Sequence, residues 1–519
     1  MRPHTPRLLH ESLLVSASDH PDKLAVITEE ERVTYADLLE RALRLARGLQ
    51  ERGVRRGDRV AVFLDSGVNA VVSIYGALFS GAAFLVVNPQ TKADKLAYVL
   101  ADCEAIALIT NAQLASVVST AASRLPSLRT VVQAGTAGTE APGAVPWADL
   151  LAESNPEPHP TGSIPLDLAA LVYTSGSTGH PKGVMLSHQN MTFAQASLVE
   201  YLRLSSHDRI LNVLPLAFDY GLYQALMSVH LAATLVLEPS FGFPAQVIER
   251  VRDENVTVFP GVPTVFANLL SIHRHRPISM PSVRCFTNTA AHLPDEYVPK
   301  LLEMSPDALV FKMYGLTECK RVCYLEPELV LSKPSSVGKA IPGTETFVLD
   351  ECGQQVPPGA TGVLYVRGPH VMIGYWNLPD DTARMLVPGP YPGERMLCTH
   401  DLFKVDDEGF LYFVGRSDDI IKSRGEKVSP VEVENALAAI PGVREIAITG
   451  VQDELLGQAI RAFVVLDQGT TMSEREFRRE CMTRLESFMV PRDVKFVAEL
   501  PKTASGKVAR QQLAKETQR

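Results

Sequence analysis

The chain has 519 residues, 46% of them hydrophobic and 21% charged, with 50 basic against 59 acidic side chains and a net charge of −9. A chain of this length holds two or three structural units and buries a large core without disulfides or metals. The composition excludes disorder, collagen and a small disulfide scaffold, and the acidic balance argues against a nucleic-acid binder, which needs a clustered basic face.

The N-terminal twenty residues, MRPHTPRLLHESLLVSASDH, carry no long apolar stretch and so no signal peptide is expected. VTYADLLERALRLARGLQERGV shows apolar residues at helical spacing and a stop at Gly53. RVAVFL at 59–64 reads as a short buried strand. From Ser66 to Thr91 no residue is charged, which is long enough to span a membrane. Gly76, Ser80-Gly81 and Asn88-Pro89 interrupt it, so the reading is an apolar helix over 68–79, a glycine turn and a buried strand at 83–87.

Further strand-like runs follow at 105–110, 129–134, 233–238 and 256–261, with helical stretches between them. This alternation predicts parallel sheets covered on both faces. Residues 134–165 are rich in Gly, Ala, Pro and Glu and read as a surface excursion with one short helix near Trp147–Glu153. After Gly338 short alternating strands with Gly and Pro turns suggest an antiparallel, barrel-like piece. After Arg416 a helix, two strands and a second helix form what reads as a small unit of its own. The seven cysteines, at 103, 285, 319, 323, 352, 398 and 481, form no CxxC pair and no zinc pattern. They are expected to be reduced thiols in a cytoplasmic protein.

The most informative segment is Tyr173-Thr174-Ser175-Gly176-Ser177-Thr178-Gly179-His180-Pro181-Lys182-Gly183, which follows the apolar run LAALVY. Its glycines let consecutive backbone N–H groups converge on one anion, its hydroxyls add donors and its lysine adds a charge. This is polyphosphate-binding chemistry, but the spacing of the NTPase loop, G-x-x-x-x-G-K-[ST], is absent.

YTSGSTGHPKGV resembles the signature of the AMP-forming adenylating superfamily: acyl-CoA synthetases, amino-acid adenylation enzymes and luciferases. The resemblance continues in order through VTYADL (33–38), GALFSGAAFLVVNPQ (76–90), LPLAFDYG (214–221), FTNTAAHLP (286–294) and MYGLTE (313–318). It runs on through GVLYVRGPHVMIGYW (362–376), THDL (399–402), VGRSDDIIKSRGEKVSPVEVE (414–434), FMVPRDV (488–494) and PKTASGKVAR (501–510).

The resemblance implies a fold and a division of labour. The fold would be α/β: a large N-terminal domain of stacked mixed sheets with a β-barrel-like piece, residues 1–417. A small mobile α+β domain, residues 418–519, would carry the catalytic lysine. ATP and Mg²⁺ are the implied cofactors. Thr174, Ser175, Gly176, Ser177, Thr178, Gly179 and Lys182 would hold the β- and γ-phosphates. Glu318, with Thr174, would place Mg²⁺, and Thr317 would meet the α-phosphate. Tyr314 and Gly315 would lie against adenine, bordered by Thr289, Ala290 and Ala291. Asp401 would accept from the ribose hydroxyls, with Arg416 supporting the same sugar. Lys507 would be the mobile catalytic lysine, Asp418 the hinge, and Gly425 a part of the thiol channel. One departure is visible: the family's Thr-Gly-Asp reads Thr399-His400-Asp401 here.

Phe218, Asp219, Asn288 and Lys320 are the candidate acid-binding residues. Asp219 has two readings: it binds a substrate ammonium, as in amino-acid-activating branches, or it caps the turn that follows. Either one of Lys320 and Arg321 faces the pocket and meets a polar or anionic substrate group, or both point outward. The expectation is an ATP-dependent ligase that makes an acyl-adenylate of a polar amino or aryl acid. The acyl group would pass to CoA or a carrier-protein thiol, with no nucleic-acid partner and no membrane span. The alternatives are adenylation of a non-carboxylate anion such as nitrite, luciferase-like oxygenation, and a nucleotide-binding regulator without chemistry.

Overall fold

The computed structural model describes residues 6–515 apart from 123, 124, 126, 136–139, 142, 176–180, 417–420, 424, 425, 454–456, 486–488 and 504–507. The apolar stretch after Ser66 folds as the helix Val68–Phe79, eleven of whose twelve residues are buried, followed by the strand Ala83–Val86. The helix packs on Tyr35–Glu51, and the contact is so close that a Cβ on Gly76 would stand 2.6 Å from Leu45 Cδ2. Close packing of this kind explains the glycine in a buried helix. Among the described residues no helix is long and apolar enough to cross a membrane.

The described strands form three sheets. The largest begins as a parallel sheet. Leu24–Ile27, Thr234–Leu237, Arg209–Asn212, Val258–Gly261, Cys285–Asn288 and Leu309–Tyr314 lie side by side in that order. It continues without a break into an antiparallel region through Cys323–Leu325, Ser336–Ala340, Leu411–Arg416, Arg395–Val405, Thr361–Arg367 and Glu345–Leu349. The barrel-like piece expected after Gly338 is therefore joined edge to edge to the parallel strands.

The second sheet contains the parallel strands Arg59–Val62, Ala83–Val86, Ala107–Asn111 and Thr130–Ala134. Its other side carries the antiparallel pair Leu168–Ser175 and Pro181–Ser187. The two-residue strand Gly374–Tyr375 adds to the outside of that pair. The third sheet, Ile421–Ser423, Glu426–Val428, Val443–Asp453, Gly457–Leu466 and Asp493–Phe496, belongs to the C-terminal hundred residues. It has its own apolar core of Ile421, Val428, Val433, Leu437, Ile460 and Phe477. The chain is thus α/β, with a large N-terminal domain of several sheets and a smaller C-terminal one. The expected boundary, between 417 and 418, falls outside the described residues.

Candidate active site

The glycine- and hydroxyl-rich segment is the connection of a long hairpin. Thr174 is opposite Lys182 and Ser175 opposite Pro181 in the ladder. Residues Gly176, Ser177, Thr178 and Gly179 lie outside the described set, as does the Ser175 side chain. Thr174 is half-buried at the end of its strand.

Lys182 Nζ lies 2.9 Å from Asp381 Oδ1 and 5.5 Å from the centre of the Tyr375 ring. Tyr375 reaches it because Gly374–Tyr375 pairs with Val184 and Met185 on the lysine's own strand. The Tyr375 hydroxyl donates to Glu318 Oε1 at 2.6 Å. Burial and the neighbouring Glu318 carboxylate push that phenol well up, so it stays a donor. One tyrosine thus bridges Lys182 and the acidic residue of the MYGLTE motif.

The loop carrying Glu318 is tightly folded. Val322 N–H donates back to the Tyr314 carbonyl at 2.9 Å, and Met372 N–H to the Glu318 carbonyl at 2.7 Å. A Cβ on Gly315 would stand 2.3 Å from the Lys320 carbonyl oxygen, so only glycine fits there. Thr317 is half-buried within this loop.

Tyr314 ends its strand and donates its hydroxyl to Asp401 Oδ2. Its ring stacks on Phe413, with centroids 5.9 Å apart, and meets Phe403 edge-on. Asp401 is 6% exposed and is opposite Arg416 in the ladder, with Nη1 3.5 Å from Oδ1. The adenine-side and ribose-side candidates therefore touch. His400, in place of glycine, keeps the glycine-like backbone, with a φ of +56°. The turn survives the substitution at the cost of strain. Burial opposes ionisation of the Cys398 thiol, but the His400 ring, with Nδ1 3.8 Å from Sγ, holds it lowered.

Thr289, Ala290 and Ala291 follow the strand Cys285–Asn288 at its C-terminal end, where ligands of open α/β sheets bind. Ala290 also has a left-handed φ, of +74°. Asn288 is buried and reaches the Gly261 carbonyl at 3.4 Å.

Asp219 opens the helix Asp219–His230, with the half-buried Phe218 before it. The carboxylate does not wait for an external cation. Lys320 Nζ is 3.1 Å from Asp219 Oδ2 and 2.8 Å from the Asp219 carbonyl. The ammonium also lies 4.4 Å from the Tyr223 ring centre. Neither Lys320 nor Arg321 points outward; each is 2% exposed. Burial lowers the Lys320 pKa to about 7, with Arg321 adding to the shift and Asp219 opposing it. Lys320 too sits in the left-handed region, at a φ of +61°.

Among the described residues no group of three or more His, Cys, Asp or Glu could hold a metal ion alone. A single carboxylate at Glu318 nevertheless fits Mg²⁺, which keeps most of its ligands as waters and substrate phosphate oxygens. Lys507, Asp418 and Gly425 lie outside the described residues. Sequence reasoning gave no role to Tyr375 or Asp381, and left Arg321 open between the pocket and the surface. Tyr375 stood inside the quoted GYW segment, but its bond to Glu318 crosses 57 positions and leaves no local signal.

A family model described as AMP-binding enzyme matches residues 13–376, and one described as AMP-binding enzyme C-terminal domain matches 432–507. The chain is 32% identical to a long-chain-fatty-acid–CoA ligase of Bacillus subtilis strain 168, covering 98% of this chain and 94% of that one. It is 34% identical to a feruloyl-CoA synthase of an Amycolatopsis species, covering 92% of each. The solved anthranilate CoA ligase AuaEII, in complex with anthranoyl-AMP, superimposes with a TM-score of 0.91 at 26% identity, over 99% of this chain and 98% of that one. With both family models in place and ligases matched over nearly its whole length, the chain belongs to the AMP-binding enzyme family, the AMP-forming adenylating enzymes that include the acyl-CoA ligases.

Proposed function

We propose that this chain joins a polar carboxylic acid without a cationic alkyl ammonium, of the aryl class in preference to the amino-acid class, to the thiol of CoA or a carrier protein. The observation that carries the substrate side of this reading is the Lys320–Asp219 pair. An amino-acid substrate would bring its ammonium to Asp219, but the chain supplies that cation itself. Feruloyl-CoA synthase and anthranilate CoA ligase among the similar proteins support an aryl acid.

In the first step an oxygen of the acid carboxylate attacks the α-phosphorus of ATP. The bond from that phosphorus to the bridging oxygen breaks, and pyrophosphate leaves. In the second step the thiol sulfur attacks the acyl carbon, AMP leaves, and the thiol proton passes to solvent. Little covalent help is needed, so the residues act by position and charge. The hairpin holds Lys182 toward the phosphates, and Tyr375 orients it by ring contact while fixing Glu318. The Tyr314–Asp401–Arg416 group holds base and sugar. Mg²⁺, held by Glu318, would neutralise charge spread over the phosphates.

Pyrophosphate release measured without thiol, across aryl acids, fatty acids, amino acids and nitrite, tests the reading. Release with an amino acid as the best substrate would overturn the choice of class; release with nitrite alone would replace the carboxylic acid. Tyr375→Phe removes one donor from the Glu318 carboxylate, a hydrogen bond to a charged group of about 1.5 kcal/mol. The Mg²⁺ concentration for half-maximal pyrophosphate release is expected to rise about tenfold, with the melting temperature little changed. An unchanged Mg²⁺ dependence would remove Tyr375 from this role.

A further inference from the structure

Among the described residues, Arg321 is one of the largest fully buried side chains. Its guanidinium donates through Nη1 to Thr289 Oγ1, and its carbon lies 5.5 Å from the Tyr220 ring centre. Nε is buried with no hydrogen-bond partner. Among the described residues no carboxylate forms an ion pair with it. The phenols and thiols around it, Tyr201, Tyr220, Cys319 and Cys323, are pushed up by burial and remain neutral.

The adjacent carboxylate, Asp219, is already engaged by Lys320. Asp219 is thus hydrogen-bonded to Lys320 and, among the described residues, makes no ion pair with Arg321. Arginine cannot escape by losing its proton, and a buried charge without a partner is costly. The cluster is also where the backbone is strained, at Lys320 and Ala290. Broken local rules of this kind, concentrated in one place, mark sites whose missing partner arrives with the ligand.

Position decides which part of the ligand. Arg321 joins Tyr220, beside the substrate segment, to Thr289, beside the adenine-side loop. The groups assigned to the phosphates and Mg²⁺, Lys182, Tyr375 and Glu318, form a separate set. Among the described residues no side-chain hydrogen bond or ion pair joins the two sets. We propose that the activated acid carries a second anionic group, a carboxylate, and that Arg321 binds it as a planar two-point partner, so that the substrate is a dicarboxylic acid activated at one end. Arg321 is then a specificity-determining residue, with the Lys320–Asp219 pair as the polar wall beside it. A guanidinium suits this task because its fixed fork matches both oxygens of one carboxylate.

The inference rests on the acid-activation reading, and the experiment separates the two. Pyrophosphate release by the full chain with ATP and Mg²⁺ is measured for succinate against butyrate, glutarate against valerate, and isophthalate against benzoate. In at least one pair the dicarboxylate is expected to exceed its partner at least tenfold in kcat/KM. Arg321→Met keeps the length without the charge, and should bring that ratio to about one. Arg321→Lys should retain part of it. Monocarboxylates equal to or better than every dicarboxylate overturn the inference and leave acid activation standing. A ratio unchanged in a folded Arg321→Met variant also overturns it. No release from any acid removes the activation reading and this inference with it. The wild-type comparison decides even if neither variant folds.

Discussion

Replacing Lys507 by alanine is expected to lower pyrophosphate release about a thousandfold while leaving acyl transfer from supplied acyl-AMP to a thiol intact. The basis is the Pro-Lys-Thr-x-Ser-Gly-Lys context at 501–507, which resembles the catalytic-lysine segment of the family. In the first step negative charge moves from the carboxylate onto the phosphates. A lysine bridging the two is stronger in the transition state than in the ground state, and losing one such donor costs about 10²–10³ in rate. The second step expels AMP from an anhydride already made and does not need that bridge. Both rates are measured on one preparation, the first by pyrophosphate release and the second by thioester formation. Undiminished pyrophosphate release would exclude Lys507 from the chemistry. Equal loss of both steps would point to a damaged fold or nucleotide site instead.

The second large effect is on stability and comes from Lys320. Its pKa stands at 10.5 when the chain is unfolded and at about 7 when folded, lowered chiefly by burial. Between those values the unfolded chain binds more protons than the folded one. Stability from this group therefore rises with pH, from about pH 7 to pH 10.5, at up to roughly 1.4 kcal/mol per pH unit. The window as a whole amounts to a few kcal/mol. Lys320→Met removes the titrating group. The slope of the difference between the two proteins therefore reads the lysine. Unfolding free energies of wild type and variant, measured by denaturant between pH 7 and 10, should diverge as pH rises, to the advantage of wild type. A flat difference would mean that Lys320 keeps its ordinary proton affinity in the folded chain.

Much of the architecture was legible in the sequence because it depends on local periodicity. The helix read at 68–79 is found at Val68–Phe79, and the runs at 129–134 and 233–238 are the strands Thr130–Ala134 and Thr234–Leu237. The run at 105–110 starts later, as Ala107–Asn111, because the turn from the preceding helix uses its first residues. Strand order was not legible. The pairing of Leu24–Ile27 with Thr234–Leu237 joins segments some two hundred positions apart. The site divides in the same way. The family resemblance pointed to Tyr314, Asp401 and Arg416, and the structure joins them by direct contacts. The partner of Asp219 was hidden, because Lys320 is 101 positions away and a pair of cations in sequence reads as surface. Only the tertiary fold shows that both are buried.

Three non-glycine residues of the site, Ala290, Lys320 and His400, hold left-handed φ angles of +74°, +61° and +56°. β-Branched residues are nearly excluded from that region, and glycine, asparagine and aspartate enter it most easily. The effect on the site's evolution is a narrowed alphabet. Drift at position 320 cannot wander through valine, isoleucine or threonine without disturbing the loop that also aims Glu318. A descendant with a different substrate is therefore reached through a short set of replacements at 320. The freer variation falls on neighbours with ordinary backbones, and the acid that such a lineage can learn to use is channelled by main-chain geometry as much as by the shape of any side chain.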